Sequence, residues 1–505
     1  MDRDSLKKTP TGQHVANLWL NTGLVIVGAF MAVLDTTIVD IIVPRLKGPL
    51  STDMYGVQWV ITAYMMAAAV GLILVEWLIG KYGRKWVYLG GVTLFTIASF
   101  ACGSATALPE MVIFRIFQGF GEALIMVTAQ AMVFSFFPDE KRGLAMGVFA
   151  LGVAFAPAVG PTLGGYLTEQ FGWRSLFFVN VPVGITLLLF GGLLLPNNYP
   201  PKRYPLNLPS LTFLTLFTLS LLLLLSKGEE LGWFNSQLII YLGWGSWISL
   251  LLFILSEFLS SRSLFDYSLF YHPHYSIGII VYFTLLGFSM YQYFYLIPIY
   301  YEQLKGFSSL QTGLGVLGFG IWIGVFSIIA GGLSDRFSPV PILVVAGVVY
   351  FFTTGFLFPT LNYYTPFWEG VLKTIPLGIV MGLFFAPITL MVMKSSGEKV
   401  EQGVMMMDYV RFIGGSFGTA IATNNLHYFT NRALDGITIL QNRELTGQLL
   451  LKLHHQLGDK GIFLWAQFQQ LMGFNYGFKW VWWEGFQWGI IGVVALLLLP
   501  FLKKR

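Results

Sequence analysis

Charged residues and cysteines are both scarce in this chain. Asp, Glu, Lys and Arg together make up 11% of its 505 residues, whereas hydrophobic residues make up 55%. Soluble domains are about a quarter charged and at most half apolar, so the composition excludes a conventional soluble fold. The single cysteine, Cys102, cannot form an intramolecular disulfide and gives no basis for thiol chemistry.

The sequence also lacks a nucleotide-binding motif and a metal site. Its Gly-rich stretches neither follow a predicted strand nor precede a Lys-Ser or Lys-Thr pair, as phosphate-binding loops do. His427, His454 and His455 share one polar stretch, but a metal site needs more converging ligands. We therefore predict no metal and no cofactor, and we expect any energy for work to come from a gradient.

Long apolar runs follow one another along the whole chain. A membrane-spanning helix needs about 20 mostly apolar residues. We predict an all-α integral membrane protein whose fourteen spans lie near 16–43, 57–80, 86–105, 108–136, 142–168, 174–195, 208–226, 236–258, 275–302, 309–333, 338–358, 367–393, 403–426 and 480–501. The first run is far longer than a signal-peptide core, so we expect it to be retained.

The distribution of Lys and Arg predicts the orientation of these spans. With the N-terminus inside, the inner segments carry seventeen Lys and Arg residues and the short outer loops carry six. Positive charge is enriched in cytoplasmic loops. We therefore predict a multi-pass protein of the cell inner membrane with both termini in the cytoplasm.

Two connecting loops echo each other and predict an internal repeat. GKYGRK at 80–85 follows the second span, and GGLSDRF at 331–337 follows the tenth. These places are equivalent if spans 7 and 8 are an insertion. We expect a six-helix bundle in 1–195, two inserted helices in 196–270, and a second six-helix bundle in 271–505 with an external loop at 427–479. Two similar halves suit alternating access.

Four motifs occur in order along the first six spans: LDTTIVDIIVP at 34–44, RIFQGFG at 115–121, GPTLGG at 160–165 and WRSLFFVNVP at 173–182. They are similar to L-D-x-T-I-V-N-V-A-L-P, R-x-x-Q-G-x-G, G-P-x-x-G-G and W-R-x-x-F-x-x-N-x-P. Together they resemble the major facilitator superfamily, more closely its fourteen-span drug:proton antiporters of the EmrB and QacA type. The resemblance implies two six-helix bundles plus two inserted helices, and proton-driven export of hydrophobic compounds.

The resemblance also implies residues for the conformational change. They belong to the two echoing loops and to the fifth-span motif, and they are Gly83, Arg84, Gly160, Pro161, Gly164, Gly165, Asp335 and Arg336. Small residues let helices approach closely and proline bends a helix, so the fifth span is expected to form a kinked seam. Glu76 and Gly80 depart from the family pattern, which has Gly and Asp there; the acidic partner is missing or moved by one turn.

Ionisable residues inside spans are costly and are candidates for function by default. Asp35 and Arg115 both fall roughly 10–14 Å below the outer surface, at 1.5 Å rise per residue, so we expect an ion pair that binds and releases a proton. A purely structural pair is the alternative. Glu122, seven residues after Arg115 and on a similar face, is a candidate proton or cation site, or a structural hydrogen-bonding group.

Three further intramembrane charges complete the set of candidate proton-coupling residues: Asp40, Asp408 and Arg411. Asp40 stands where the family has Asn, and it lies nearer the outer end. Asp408 and Arg411 are three residues apart and can pair along one helix, where structural pairing is favoured over coupling.

The ninth span concentrates polar aromatic groups within an apolar run. A cavity with such a lining binds bulky planar or cationic molecules without strict geometry. We predict Tyr291, Tyr295 and Gln292, together with Glu122, as substrate contacts, with packing between the halves as an equally good explanation.

The predicted external loop contains an apolar pattern over 449–457 that indicates an amphipathic helix. The EmrB resemblance implies a periplasmic adaptor and an outer-membrane channel as partners, with this loop as the docking element. The sequence therefore favours a proton-coupled exporter of hydrophobic or cationic compounds; a dedicated exporter of one siderophore, lipid or metabolite is the alternative. An enzyme is not expected, since no polar cluster or metal-ligand set stands at one interface.

Overall fold

The computed structural model describes residues 12–42, 46–197, 206–260, 263–440, 448, 451–452, 454–455 and 459–501. All regular secondary structure in these ranges is helical. Hydrocarbon offers no hydrogen-bonding partner to the backbone, so a chain this apolar satisfies its N–H and C=O groups within helices.

The helices of the first part of the chain are α1 (Gly12–Ile42), α2 (Met54–Tyr82), α3 (Arg84–Ser104), α4 (Leu108–Phe136), α5 (Arg142–Phe171), α6 (Ser175–Phe178), α7 (Asn180–Leu194), α8 (Leu208–Lys227) and α9 (Gln237–Leu259). Their ends follow local sequence. Asp53 caps α2 by accepting a hydrogen bond from the Gly56 N–H at 2.7 Å. Gly83, at φ +83°, makes the sharp turn between α2 and α3.

The helices of the second part are α10 (Pro273–Val281), α11 (Met290–Ile299), α12 (Ser309–Arg336), α13 (Pro339–Phe352), α14 (Phe367–Ser395), α15 (Val400–Leu440) and α16 (Asp459–Leu498). A π-helical segment, Tyr282–Ser289, joins α10 to α11 within one continuous span. Ser308 and Gln311 form a capping box at the start of α12.

Twelve helices in the described ranges are long and apolar enough to cross a membrane, and α5, bent by 48° between Pro157 and Thr162, makes thirteen. The remaining predicted span, 403–426, corresponds to α15, which is helical but less apolar. It packs against α16, the π-helical segment, α2 and α4. The all-α membrane fold expected from the sequence is confirmed.

The predicted external loop at 427–479 is largely helical where the structure describes it. α15 continues to Leu440 and α16 already begins at Asp459. The two extensions pack together, because Gly473 and Gly477 on α16 bring the backbone close to Leu434 and Thr430 on α15. At 1.5 Å per residue, a helix of this length spans about 60 Å, twice the hydrocarbon thickness. A helical hairpin therefore extends beyond the bundle.

The physical reason for this difference is that the two extensions cover each other. Their sequence is polar enough to resemble a loop, but small residues at the contact allow close helix packing. Of the predicted amphipathic segment 449–457, the structure describes only 451–452 and 454–455, which are helical and exposed.

α5 and α12 join the two parts of the chain along a glycine-lined seam. A Cβ added at Gly143 would lie 2.3 Å from the Gly331 carbonyl oxygen, and one added at Gly147 would lie 2.4 Å from that of Ser327. Contacts this short leave no room for a side chain. The two helix backbones therefore touch, as small residues allow in membrane proteins.

α8 contacts a helix from each part of the chain, α2 from the first and α15 from the second. Ser226 on α8 is 2.8 Å from the Thr62 hydroxyl on α2. Thr218 on α8 is 2.7 Å from the Tyr409 hydroxyl on α15. Since α2 and α15 come from opposite parts, the α8–α9 pair covers the side of the bundle where they meet.

Candidate functional site

Asp35 on α1 and Arg115 on α4 form a buried ion pair. The Arg115 Nη1 donates to Asp35 Oδ2 at 2.6 Å, and both residues are 1% exposed. Arg115 also donates from Nε to the Val60 carbonyl on α2 at 3.0 Å. Breaking a buried pair by removing one partner leaves an uncompensated charge and costs about 3–5 kcal/mol. The pair therefore ties three helices together.

Two amides complete the surroundings of Asp35. Gln118 donates to its Oδ1 at 2.9 Å, and Asn180 on α7 donates to the same oxygen at 2.6 Å. Ser99 on α3 accepts from Gln118 at 2.8 Å. Sequence reasoning did not assign these side chains to the site. Gln118 and Asn180 stand inside two of the quoted motifs, so their positions were visible, but only the fold brings them to one carboxylate.

Glu122 is buried on α4, seven residues from Arg115. It is 8% exposed, and its Oε2 has no hydrogen-bonding partner among the described residues. The Tyr64 ring centroid lies 3.8 Å from the Arg115 guanidinium carbon, and Arg411 from the second part of the chain acts on the Glu122 carboxyl electrostatically. A buried carboxyl with an unsatisfied oxygen is costly, so this group is suited to taking up a proton or a cation.

Asp408 and Arg411 pair along α15, as their spacing predicts. The Arg411 Nη2 donates to Asp408 Oδ1 at 3.0 Å, and its Nη1 donates to the Tyr291 hydroxyl at 2.7 Å. One atom of each, Asp408 Oδ2 and Arg411 Nε, has no partner among the described residues. The structure thus brings a second intramembrane pair and one predicted substrate contact together.

The predicted substrate contacts on the ninth span do not share one environment. Tyr291 is half-buried against Arg411. Gln292 is fully buried and points instead to α16, where it donates to the Val481 carbonyl at 3.4 Å. Tyr295, one turn after Tyr291, lies near Thr423 on α15. Adjacent helix positions are rotated by about 100°, so Gln292 cannot line the same surface as Tyr291.

Both echoing loops reach across to the opposite part of the chain, at one end of the bundle. Arg84 donates from Nε to Glu401 Oε1 on α15 at 2.7 Å. The Asp335 carboxylate accepts from the Gly143 and Leu144 N–H groups of α5 at 2.6 and 2.8 Å. A carboxylate is favoured at a helix N-terminus. We call this end, which holds Arg84 and Asp335, the latch face.

The departure at Gly80 accompanies this contact between the two parts of the chain. The family's acidic partner is absent from position 80, and the Arg84 side chain takes Glu401 from the other part of the chain. Arg336 is exposed at the end of α12.

The glycines of the fifth-span motif differ in their surroundings. A Cβ on Gly160 would lie 2.4 Å from Thr37 Oγ1 on α1, and one on Gly164 would lie 3.2 Å from Ile38. Gly165 has open space within 4 Å. The side chains of Pro161 and Asp40 lie outside the described residues, although both positions are helical.

Among the described residues, no group of three or more His, Cys, Asp or Glu could hold a metal ion. His427 instead lies beside Glu229 on the α8–α9 turn, with Nδ1 3.1 Å from Oε1.

Comparison with known proteins adds an independent line of evidence. The family description "Major Facilitator Superfamily" matches residues 25–419. The chain is 27% identical to the multidrug export protein EmrB of Haemophilus influenzae, over 91% of this chain and 90% of that protein. It is 30% identical to the fatty acid resistance protein FarB of Neisseria gonorrhoeae, over 84% and 82%. The solved structure of the proton:xylose symporter XylE, bound to 6-bromo-6-deoxy-D-glucose, has a TM-score of 0.60 at 14% identity over 97% and 96%.

Proposed function

Because the chain belongs to the Major Facilitator Superfamily, and is therefore a membrane transporter and not an enzyme, we propose that it is a proton-coupled antiporter. It exports hydrophobic and amphipathic compounds across the inner membrane by alternating access. The observation that carries the proposal is the buried Asp35–Arg115 pair with the unsatisfied Glu122 carboxyl seven residues from it. EmrB-type relatives named as multidrug exporters support the substrate class.

The balance of buried charge supports proton coupling. Asp35 with Arg115 and Asp408 with Arg411 form two neutral pairs. Glu122 has no salt bridge of its own among the described residues, and either a proton or an organic cation would neutralise its carboxylate. Separating Asp35 from Arg115 favours proton uptake by the carboxylate, and re-pairing favours release, since an adjacent cation stabilises the charged form.

The proton gradient supplies enough free energy for this task. A charge moving through a potential of ~150 mV gains about 3.5 kcal/mol. Each 1.4 kcal/mol is a tenfold ratio, so one proton supports a roughly 300-fold gradient of a neutral substrate.

Alternating access is supported by the contacts between the two parts of the chain. We assign 1–195 and 271–505 to two bundles and 196–270 to the inserted pair, with the latch face and both termini in the cytoplasm. The Arg84–Glu401 and Asp335–α5 contacts then close the cytoplasmic side. The α5–α12 glycine seam acts as the axis about which the bundles rock.

A dedicated exporter of one amphipathic acid is the second candidate. FarB is named for fatty acid resistance and is 30% identical. Arg411, whose Nε has no partner among the described residues, together with the Tyr291 hydroxyl would suit a carboxylate head group. Export of fatty acids alone, with no response to lipophilic cations, would favour this candidate.

A periplasmic adaptor and an outer-membrane channel are proposed partners. The α15–α16 hairpin extends from the end of the bundle opposite the latch face, where such an adaptor would dock. Deleting residues 430–475 is expected to abolish adaptor pull-down while the remaining bundle stays folded.

The proposed antiport is tested in liposomes. Purified protein is reconstituted with a pH-sensitive dye inside, a proton gradient is imposed, and tetraphenylphosphonium is added. Substrate-dependent proton movement is expected, and Asp35→Asn should abolish it. Asp139→Asn is the matched control, because Asp139 carries the same charge but its side chain is 70% exposed. Equal proton movement in Asp35→Asn and the unsubstituted protein would reject Asp35 as the coupling group.

A further inference from the structure

Glu257 lies near the end of α9 and is only 8% exposed. The Leu264 N–H donates to its two carboxylate oxygens at 2.9 and 3.0 Å, and the Tyr267 hydroxyl donates at 2.9 Å. The Asn207 side chain, at the start of α8, donates to the same carboxylate at 3.4 Å. A buried carboxylate is costly unless donors surround it. One charge therefore ties residues 264–267, which we call the clamp turn, to both α8 and α9.

The clamp turn reaches the start of α15 through two contacts. The Asp266 carboxylate forms an ion pair with Lys399. The Leu264 carbonyl accepts a hydrogen bond from the Gln402 side chain at 3.5 Å. Both contacts go to the short segment that joins α14 to α15, so this segment is attached to the α8–α9 pair.

The same segment carries one half of the latch contact. Glu401 lies between Lys399 and Gln402 in the chain, and its Oε1 accepts from Arg84 Nε at 2.7 Å. The start of α15 is therefore held by the clamp turn and by the first part of the chain together. α8 also contacts α2 and α15 directly, so the α8–α9 pair touches both sides of the latch.

We propose that Glu257 is a positioning residue for the latch face, through which the α8–α9 pair controls how readily that face opens. The inference rests on the proposed function, in which the latch closes one side of the transporter. The Glu257 carboxylate holds the clamp turn, and the clamp turn presents Glu401 to Arg84. Without this charge the clamp turn is released from α9, and Glu401 loses a support. The two inserted helices thereby act on the rocking of the two bundles.

The test compares spin-label distances across the latch face in lipid nanodiscs, without substrate or gradient. The labels are attached through Tyr82→Cys and Phe337→Cys, at exposed positions on opposite parts of the chain, in a Cys102→Ser background. Glu257→Gln keeps the size of the side chain and removes its charge. The ratio of long to short distances is expected to rise at least about threefold, within the range of couplings measured inside one hydrogen-bond network.

A double-substitution cycle with Arg84→Ala separates positioning from a general loss of stability. If Glu257 acts through the latch contact, Glu257→Gln adds no further rise to that of Arg84→Ala, because the contact that it supports is already gone. Two independent effects would multiply instead. A ratio equal to that product, or no rise in Glu257→Gln alone, would overturn the inference.

Glu230→Gln is the matched control. Glu230 follows α8 at the end of that helix far from Glu257, and its carboxylate pairs with Lys227 at 2.5 Å. The substitution removes the same charge from the same helix pair, and it should leave the distance ratio unchanged. The same rise in Glu230→Gln as in Glu257→Gln would reject a role specific to the clamp turn.

Asp266→Asn tests the next step and leaves the buried carboxylate in place, so it decides the question even if Glu257→Gln does not fold. The Asp266 side chain is 36% exposed, and only its pairing with Lys399 is weakened. The distance ratio should rise by less than in Glu257→Gln, because the Gln402 contact remains. An unchanged ratio in Asp266→Asn would reject the path through the clamp turn.

The failure of this inference and the failure of the proposed function give different results. A shift in Arg84→Ala with none in Glu257→Gln or Asp266→Asn rejects only the link to the α8–α9 pair. No shift in Arg84→Ala rejects the latch itself, and the link with it. Absence of proton movement in the liposome experiment rejects the antiport, whatever the spin-label distances are.

Discussion

The Arg84–Glu401 contact should hold the latch face closed, and its strength can be bounded from its geometry. The side chains are 18% and 7% exposed, between the exposed pairs worth at most about 1 kcal/mol and the buried pairs whose breaking costs about 3–5 kcal/mol. Glu401 also lies in the first turn of α15, where the helix N-terminus stabilises it without Arg84. We therefore expect Arg84→Ala to destabilise the closed conformation relative to the open one by about 1.5 kcal/mol, a roughly tenfold shift toward the open latch face.

Spin-label distances measure this shift. Tyr82 on α2 and Phe337 after α12 are exposed positions at the latch face on opposite parts of the chain. Replacing both with cysteine in a Cys102→Ser background gives two labelling sites and no third. In Arg84→Ala the ratio of long to short distances should rise roughly tenfold. Lys373→Ala is the control.

The control works because Lys373 pairs with Glu369 within α14, so its loss changes no contact between the two parts of the chain. Arg84→Lys, which retains the charge but loses the planar guanidinium, should fall between Arg84→Ala and the unsubstituted protein. Superimposable distance distributions in Arg84→Ala and the unsubstituted protein would refute the latch, whatever the transport activity of the variant.

Three further outcomes follow from the same contacts. Gly147→Ala places a Cβ 2.4 Å from a carbonyl oxygen of α12 and should lower the stability of the fold by about 1–3 kcal/mol through overpacking. The thermal midpoint in detergent should fall accordingly, whereas Gly165→Ala, with open space around its Cβ, should leave it unchanged. Asn180→Leu removes the amide that donates to Asp35 Oδ1 at 2.6 Å, and it should displace the pH profile of proton-coupled transport by at least about one pH unit. An unchanged pH profile would argue against a role of Asn180 in setting the protonation of Asp35. The hydrogen bond from Lys399 lowers the pKa of Asp266, so the carboxylate and its link to Lys399 should persist at pH values below the usual aspartate pKa. The link should be lost as pH falls through the lowered pKa, which NMR titration of a labelled Asp266 carboxyl can follow.

The helical membrane fold was predictable because the bilayer restricts the possibilities. Only helices or closed barrels satisfy the backbone in hydrocarbon, and apolar runs of about 20 residues favour helices. Polarity is a weaker guide to secondary structure than length of an apolar run. Residues 427–440 and 459–479 were predicted as part of a loop because they are more polar than the spans, although they form the helical extensions of α15 and α16.

The site was predictable in its charges but not in its neutral groups. Asp35, Arg115 and Glu122 stand out in an apolar sequence because intramembrane charge is expensive. Gln118, Asn180 and Tyr64 carry no charge, so their type and spacing do not distinguish them from residues that pack. Gln292 was assigned to the substrate surface with Tyr291, but the helix turns it toward α16.

The sequence by itself determined the membrane environment, the helical class, the motif order and the list of buried charges, because each follows from composition or from spacing along one chain. Only the tertiary structure decided which groups meet. Arg84 and Glu401 are 317 residues apart, and Asp35 and Asn180 are 145 apart, so no local pattern relates them. Partners of this kind are selected by helix packing, in which glycines such as Gly143 and Gly119 set how closely two backbones approach.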